Sequence, residues 1–290
     1  MARSRHDPWR LEAYLAAYRQ DFGRSERFVW AQVYLAGLLA KVPRKTVEGI
    51  ARFLTPVSEA GREGRRQALQ NFLQESPWDE ELVLQRYRRQ LWRQLSDQGL
   101  LMVADLSLVK QGRHSVGVQR QYCPATGTKA NCQIIPSVFV VTPHDCLPLA
   151  MRLFLPRSWQ DDTDRLDAGK VPLDRRGETS RIEVVLELLA LLRAEGMPGL
   201  RVALGDRYGR SSELAARLSA LGFEVMAQTP EHESLLGRSI ALLKSFGLDH
   251  FEGRTWRGLH HHLTLVMLAH HYSWSNRASH YRGCPTIRAR

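Results

Sequence analysis

The chain has 290 residues, an ordinary apolar fraction of 43% and a formal net charge of +11 at pH 7. That length gives one large or two ordinary domains with a real core, and no run of about 18 uninterrupted apolar residues is present to cross a membrane. The four cysteines (Cys123, Cys132, Cys146, Cys284) have neither CxxC spacing nor the density of a disulfide scaffold, which points to reduced thiols in a cytosolic protein.

The opening stretch MARSRHDPWRLEAY is charged and lacks an apolar signal core, so nothing points to secretion. The positive charge is unevenly spread: residues 1–98 are basic, 99–252 are balanced, and 253–290 carry six arginines and no acid. Basic flanks around a neutral middle suit a polyanion held while something acts on it. A solvated basic surface with no nucleic-acid role is the plainer alternative.

Residues 8–98 read as helices. Leu11, Tyr14, Leu15 and Tyr18, then Val29, Val33, Leu35, Leu38 and Leu39, recur at three- and four-residue spacing. Further helices are expected in RKTVEGIARFL, EAGREGRRQALQNFLQ and DEELVLQRYRRQLWRQL, with Pro43, Pro56 and Pro77 between them as stops. Ser76-Pro77-Trp78-Asp79 before Glu80 and Glu81 is a good helix start, with acids in the first turn. Arg24, Arg27, Arg44, Lys45, Arg62, Arg65 and Arg66 could meet phosphates or be plain surface.

From Leu100 the pattern changes to strands. Leu100 to Ala104 leads into Asp105, and Val116 to Tyr122 follows as a partner strand after a turn at Gly112. A carboxylate on a core strand needs a cation beside it: a metal ion, or Arg113, unless Asp105 simply caps the strand end. Ile134 to Thr142 and Leu147 to Leu155 are strands around the turn Pro143-His144-Asp145. Trp159 to Arg176 is polar and reads as a loop. Ser180 to Glu195 is a helix closed by Gly196 and Pro198, Leu200 to Gly205 a strand, Ser211 to Ala220 a helix, and Phe223 to Ala227 a strand. This order is mixed α/β, or α+β, rather than a repeating βαβ unit.

Near the end, His250, His260-His261-His262 and His270-His271 invite a metal reading, but no cysteine or acid stands at ligand spacing. The plainer expectation is a helix from His260 to Tyr272 that packs Leu263, Leu265, Val266 and Leu268 on the sheet. The tail from Tyr272 to Arg290 is expected to be basic and poorly ordered.

Asp105 and Asp206 look alike: each ends or follows a short apolar strand, and each precedes a basic loop. If the two strands lie side by side, the carboxylates meet at one edge. Two close carboxylates need a cation, and Mg²⁺ with oxygen ligands, two ions in phosphodiester cleavage, fits that need.

The block of Asp105, Lys110, Gly112, His114-Ser115-Val116-Gly117-Val118 and Arg120-Gln121-Tyr122-Cys123 resembles the first catalytic region of bacterial insertion-sequence transposases of the DDE superfamily. Ser76-Pro77-Trp78-Asp79, Asn131-Cys132-Gln133, Leu155-Pro156 with Trp159, Gly205-Asp206 with Tyr208-Gly209, and Gly247 to Arg254 with Trp256-Arg257-Gly258 match in the same order. The resemblance covers nearly the whole chain. It implies an N-terminal helical DNA-binding domain (1–98), an RNase H-like mixed sheet flanked by helices (99–271) and a basic tail (272–290). It also implies Mg²⁺- or Mn²⁺-dependent cleavage at transposon ends and strand transfer into target DNA, by a homodimer, in the bacterial cytoplasm at the nucleoid.

Carried over by position, Asp105 and Asp206 are the metal ligands, with Lys110, Arg113, His114, Arg120, Arg254 and Arg257 on the DNA. The third acid departs from the family pattern. In the family a long β insertion precedes a helix resembling Ile-Glu-x-x-Tyr-x-x-Leu-Lys; here Leu243-Lys244 match its end and Gly237 stands at the Glu position. Glu231 and Glu233 precede the matched helix, and a shifted placement would give Glu233 that role. Ala104-Asp105 stands where the family usually has two acids. The pattern fits an internal deletion of the insertion with the Glu. The expectation is therefore a DNA transposase with impaired cleavage; the alternatives are an inactive DNA-binding remnant or domesticated regulator, and a protein-interaction scaffold.

Overall fold

The computed structural model describes residues 8–54, 59–95, 99–197 and 201–282. Pro56, Pro198, Leu200 and Cys284 lie outside the described residues.

Five helices come first: α1 (Pro8–Ala16), α2 (Ser25–Leu39), α3 (Val47–Leu54), α4 (Glu59–Gln74) and α5 (Glu80–Gln94). The start of α5 follows the chemistry read from its motif: the Asp79 carboxylate accepts from the Glu81 N–H at 2.8 Å, and Glu80 and Glu81 occupy the first turn. Six strands follow: β1 (Leu100–Val109), β2 (Gln119–Cys123), β3 (Thr128–Val141), β4 (Cys146–Met151), β5 (Arg201–Leu204) and β6 (Glu224–Ala227). Between and after them lie α6 (Arg157–Gln160), α7 (Thr163–Ala168), α8 (Arg181–Ala194), α9 (Asp206–Gly209), α10 (Ser212–Ala220), α11 (Pro230–Ser245) and α12 (Trp256–Arg282). Ser180, Ser211 and Thr229 cap α8, α10 and α11 through their hydroxyls.

The sheet order is β2-β3-β1-β5-β6, with β4 also on β3. The β1, β3 and β4 pairings are antiparallel, and β5 and β6 join in parallel to β1. An antiparallel meander extended by parallel strands, with α8 and α10 in the crossovers, is the α+β, RNase H-like arrangement.

Three expectations are corrected. The run after Gly112 does not pair with β1. Asn131 on β3 donates to the Lys110 and Gly112 carbonyls at 2.9 and 2.8 Å, and buried Val116 and Val118 carry the chain past β1, so β2 pairs with the far side of β3. The charged segment Trp159 to Arg176 is not a plain loop; it holds part of α6, all of α7 and a 3-10 turn at Leu173–Arg175. Its anchor is Trp159, buried, with its indole N–H on the Val118 carbonyl at 2.9 Å and the Arg165 guanidinium 4.2 Å from the ring centroid. Finally, α12 continues through Tyr272 to Arg282. Tyr272 and Trp274 are buried, and the Tyr272 ring lies 5.3 Å from that of Tyr14, so aromatic packing extends the helix into the polar sequence.

The long helix α12 is the common support. It touches α2, α4, α5, α11 and β4. Its fully buried Leu265, Val266 and Leu268 contribute roughly 1.5–3 kcal/mol each in transfer free energy. One apolar core runs from α1 through the sheet to α12.

Its histidines belong to that core. His262 donates from Nε2 to the Gly247 carbonyl (3.0 Å) and accepts from the Tyr34 hydroxyl at Nδ1. His260 donates to the Trp256 carbonyl (2.9 Å) and accepts from the Leu153 N–H (3.3 Å). His261 lies between the Leu73 and Trp78 carbonyls, 2.8 and 3.0 Å from its nitrogens, stacked on Trp78. Burial pushes His261, His262 and His270 down to about 3, and His260 and His271 to about 4.

Candidate functional site

The parallel pairing of β1 and β5 runs Leu101↔Val202, Met102↔Ala203, Val103↔Leu204. Asp105 does not end its strand as expected, since β1 runs on to Val109; carried two positions past its last pair, the β1–β5 register sets Asp105, in the middle of β1, level with Asp206 at the start of α9. At Gly205 a Cβ would stand 2.7 Å from the Gln228 side-chain oxygen and displace that amide, which donates to the Val103 carbonyl at 3.1 Å.

The two carboxylates have opposite surroundings. The Asp105 side chain keeps 4% of its exposure, and both oxygens are used. Oδ1 accepts from the Tyr208 hydroxyl. Oδ2 accepts from Arg181 Nη1 at 3.1 Å and lies 3.5 Å from Arg207 Nε. Burial, then the Asp105 charge and hydrogen bond, raise the Tyr208 phenol well above its ordinary value, so it stays a donor. The Asp206 side chain is 97% exposed and pairs with the exposed Arg210 at 3.6 Å.

The third acid does not complete the set. The helix α11 opens at Pro230, earlier than expected, so Glu231 and Glu233 stand exposed in its first turn. Gly237 is exposed on the same helix. Among the described residues no group of three His, Cys, Asp or Glu is placed to hold a metal ion. Mg²⁺ demands near-octahedral oxygen ligation, and Mn²⁺ shares its preference for oxygen donors. An Asp105 carboxylate bonded at both oxygens to protein donors does not fit either ion as the residues stand.

Of the alternatives for Asp105, the pair with Arg113 does not form. Arg113 and His114 are exposed on the loop after β1, and Asp105 takes Arg181 and Arg207 instead. Lys110 is turned inward: its amine donates to the Phe251 carbonyl at 2.5 Å, and burial pushes it down to about 8. Backbone contacts gather the rest. The Val116 N–H donates to the Arg254 carbonyl (3.0 Å), the Trp256 N–H to the Gly169 carbonyl (2.8 Å), and Arg165 to the Arg113 carbonyl (3.4 Å). Exposed Arg113, His114, Arg254 and Arg257 thus stand on adjoining segments with Arg165, and Arg120 is exposed on β2. Among the helical basic residues, Lys45 buries its amine against the Ala40 carbonyl, Arg44 pairs with Glu252 and Arg66 with Glu63.

The block from Gly247 to Arg254 is a clasp. The Lys45 N–H donates to His250 Nδ1 at 2.9 Å, and the Lys110, Val116 and His262 contacts fix its remaining backbone. It ties the helical part to the loop after β1.

Sequence reading missed Arg181, whose one signal was an Arg directly after the helix cap Ser180; Gln121 lay inside a matched block and Arg207 in the basic loop after Asp206, neither with an assigned role. Tyr208 lay inside a matched motif but carried no assigned role.

A family model described as DDE superfamily endonuclease matches residues 17–271. No curated protein and no solved structure matches the chain. The match takes in the helical part from α2 onward, the sheet with both aspartates and most of the buried stretch of α12. The chain belongs to the DDE superfamily endonucleases.

Proposed function

We propose that the chain is a transposase-type DNA protein of an insertion sequence that binds transposon-end DNA and is impaired in strand cleavage. The observation that carries this reading is the contrast between the two aspartates: Asp105 is bonded to protein cations, and Asp206 faces solvent. The DNA would lie on Arg113, His114, Arg120, Arg165, Arg254 and Arg257, whose charges are presented by backbone held to the core. Phosphate contacts of this kind set affinity and orientation without reading sequence. In this reading the protein acts as a homodimer, one subunit per DNA end, on nucleoid DNA in the cytoplasm.

The test is paired. Binding to duplex DNA is measured across a salt series without divalent metal, and nicking of transposon-end duplexes is measured with Mg²⁺ and with Mn²⁺. Salt-dependent binding with no nicking is expected. Robust nicking abolished by Asp206→Asn would restore the fully active transposase, and no binding at low salt would leave a protein-interaction scaffold.

A further inference from the structure

We propose that Arg181 is a built-in counter-ion that holds the Asp105 carboxylate in place of a divalent cation, so that the folded chain takes up no metal at Asp105 while Arg181 is present. This rests on the reading of impaired cleavage and adds its physical cause.

Burying a lone carboxylate costs several kcal/mol or more, and the cost is met only by a close cation with good hydrogen-bond geometry. Arg181 supplies both. One of its terminal nitrogens donates to Asp105 Oδ2 at 3.1 Å, the other to the Gln121 side-chain oxygen at 2.8 Å, and its guanidinium carbon lies 5.4 Å from the Phe154 ring centroid. Three contacts from three elements, β1, β2 and the segment after β4, fix one planar group. A guanidinium cannot lose its proton at any ordinary pH, so the counter-charge does not depend on pH.

Its position in the chain supports the same role. Arg181 is the first residue of α8, directly after the Ser180 cap. A cation there opposes the positive end of the helix dipole. Its placement gains from the Asp105 charge, and each group compensates the other.

The local charge and ligand count then exclude a second cation. Asp105 already faces Arg181 and, at 3.5 Å, Arg207, which is itself 5.7 Å from the Tyr122 ring centroid. A metal bound to Oδ2 would stand within a few ångströms of a guanidinium. It would also need further oxygens, and the Gln121 oxygen that could serve is spent on Arg181.

The experiment follows Mn²⁺ in the full-length chain. A fluorotyrosine at position 208 sits on the Asp105 carboxylate, so Mn²⁺ held there would erase its ¹⁹F signal. In the native chain the signal is expected to survive millimolar Mn²⁺, and the Mn²⁺ titration is expected to superpose on that of Asp105→Asn. In Arg181→Met, with its fold checked by circular dichroism, the signal is expected to vanish on Mn²⁺ addition, and to survive again in Arg181→Met with Asp105→Asn. Erasure in the native chain overturns the proposal, and so does survival in folded Arg181→Met. Should Arg181→Met fail to fold, Arg181→Lys takes its place: a lysine reaches Asp105 but not Gln121 at once, so partial Mn²⁺ broadening is expected, and none overturns the proposal. Metal-free DNA binding is read separately, so loss of that binding would sink the functional reading and leave the Mn²⁺ result standing.

Discussion

Tyr34 and His262, 228 positions apart, share a hydrogen bond of 2.9 Å in the core and fasten α2 to α12. With Nε2–H given to the Gly247 carbonyl, the neutral ring accepts at Nδ1, and it is burial that requires the ring to stay neutral.

That requirement sets a pH dependence. His262 is pushed down to about 3, and His260, His270 and His271 to between about 3 and 4. Below the ordinary value of 6.5 the unfolded chain binds protons that the folded chain does not. Stability is therefore full above about pH 6.5 and falls as pH drops towards 4, each such histidine adding up to about 1.4 kcal/mol per unit. Melting temperature measured from pH 7.5 to 4.5 is expected to fall steeply, and His262→Gln is expected to flatten the slope. His261 decides the count: its two carbonyl contacts favour an imidazolium, while burial pushes it down to about 3. At pH 5 a neutral His261 takes up a proton on unfolding, so His261→Gln lowers the measured uptake by about one; a ring already charged takes up none, and the variant leaves the uptake unchanged.

Arg88 is completely buried, held by Glu195 at 2.5 and 2.6 Å and by Glu81. Glu195→Ala leaves a buried guanidinium short of its most buried partner and is expected to cost about 3–5 kcal/mol in urea unfolding. Arg88→Met, which removes the cation, is expected to cost clearly less. Equal losses would mean that the pair stabilises by packing alone.

The basic surface and the inward lysine separate cleanly. Arg254→Ala and Arg257→Ala are each expected to weaken DNA binding and to reduce the salt slope by about one. Lys110→Met is expected to leave the slope unchanged and to lower the melting temperature, because its amine bonds the Phe251 carbonyl.

Gly237 is open: a Cβ there meets nothing within 4 Å. Gly237→Glu is expected to stabilise α11 by about 0.5–1 kcal/mol through helix propensity and not to restore nicking, since Arg181 still holds Asp105. Nicking by this single variant would show that the missing acid was the whole defect.

The helices and their caps were legible because their apolar spacing and their Ser, Thr and Asp starts are local signals. The antiparallel partner of β2 was not, since Asn131 and buried Val116 and Val118 redirect the chain through distant contacts. Helix α7 was hidden because its segment hangs on one aromatic, Trp159, amid charge. At the site, strand pattern marked Asp105 and Asp206 as alike, but Asp105 lies in the middle of β1 and the ion pair that holds it joins it to a residue 76 positions away. No spacing rule reaches that far.

The buried helix α12 imposes an order on synthesis. The elements it supports leave the ribosome first, and α2, α4 and α5 meet this shared partner only after Trp256 and the following turns have emerged. Contacts so distant in sequence are slow to form. The nascent helices must wait with apolar faces uncovered, and a chain interrupted before α12 would be a client for chaperones and proteases rather than a smaller folded protein.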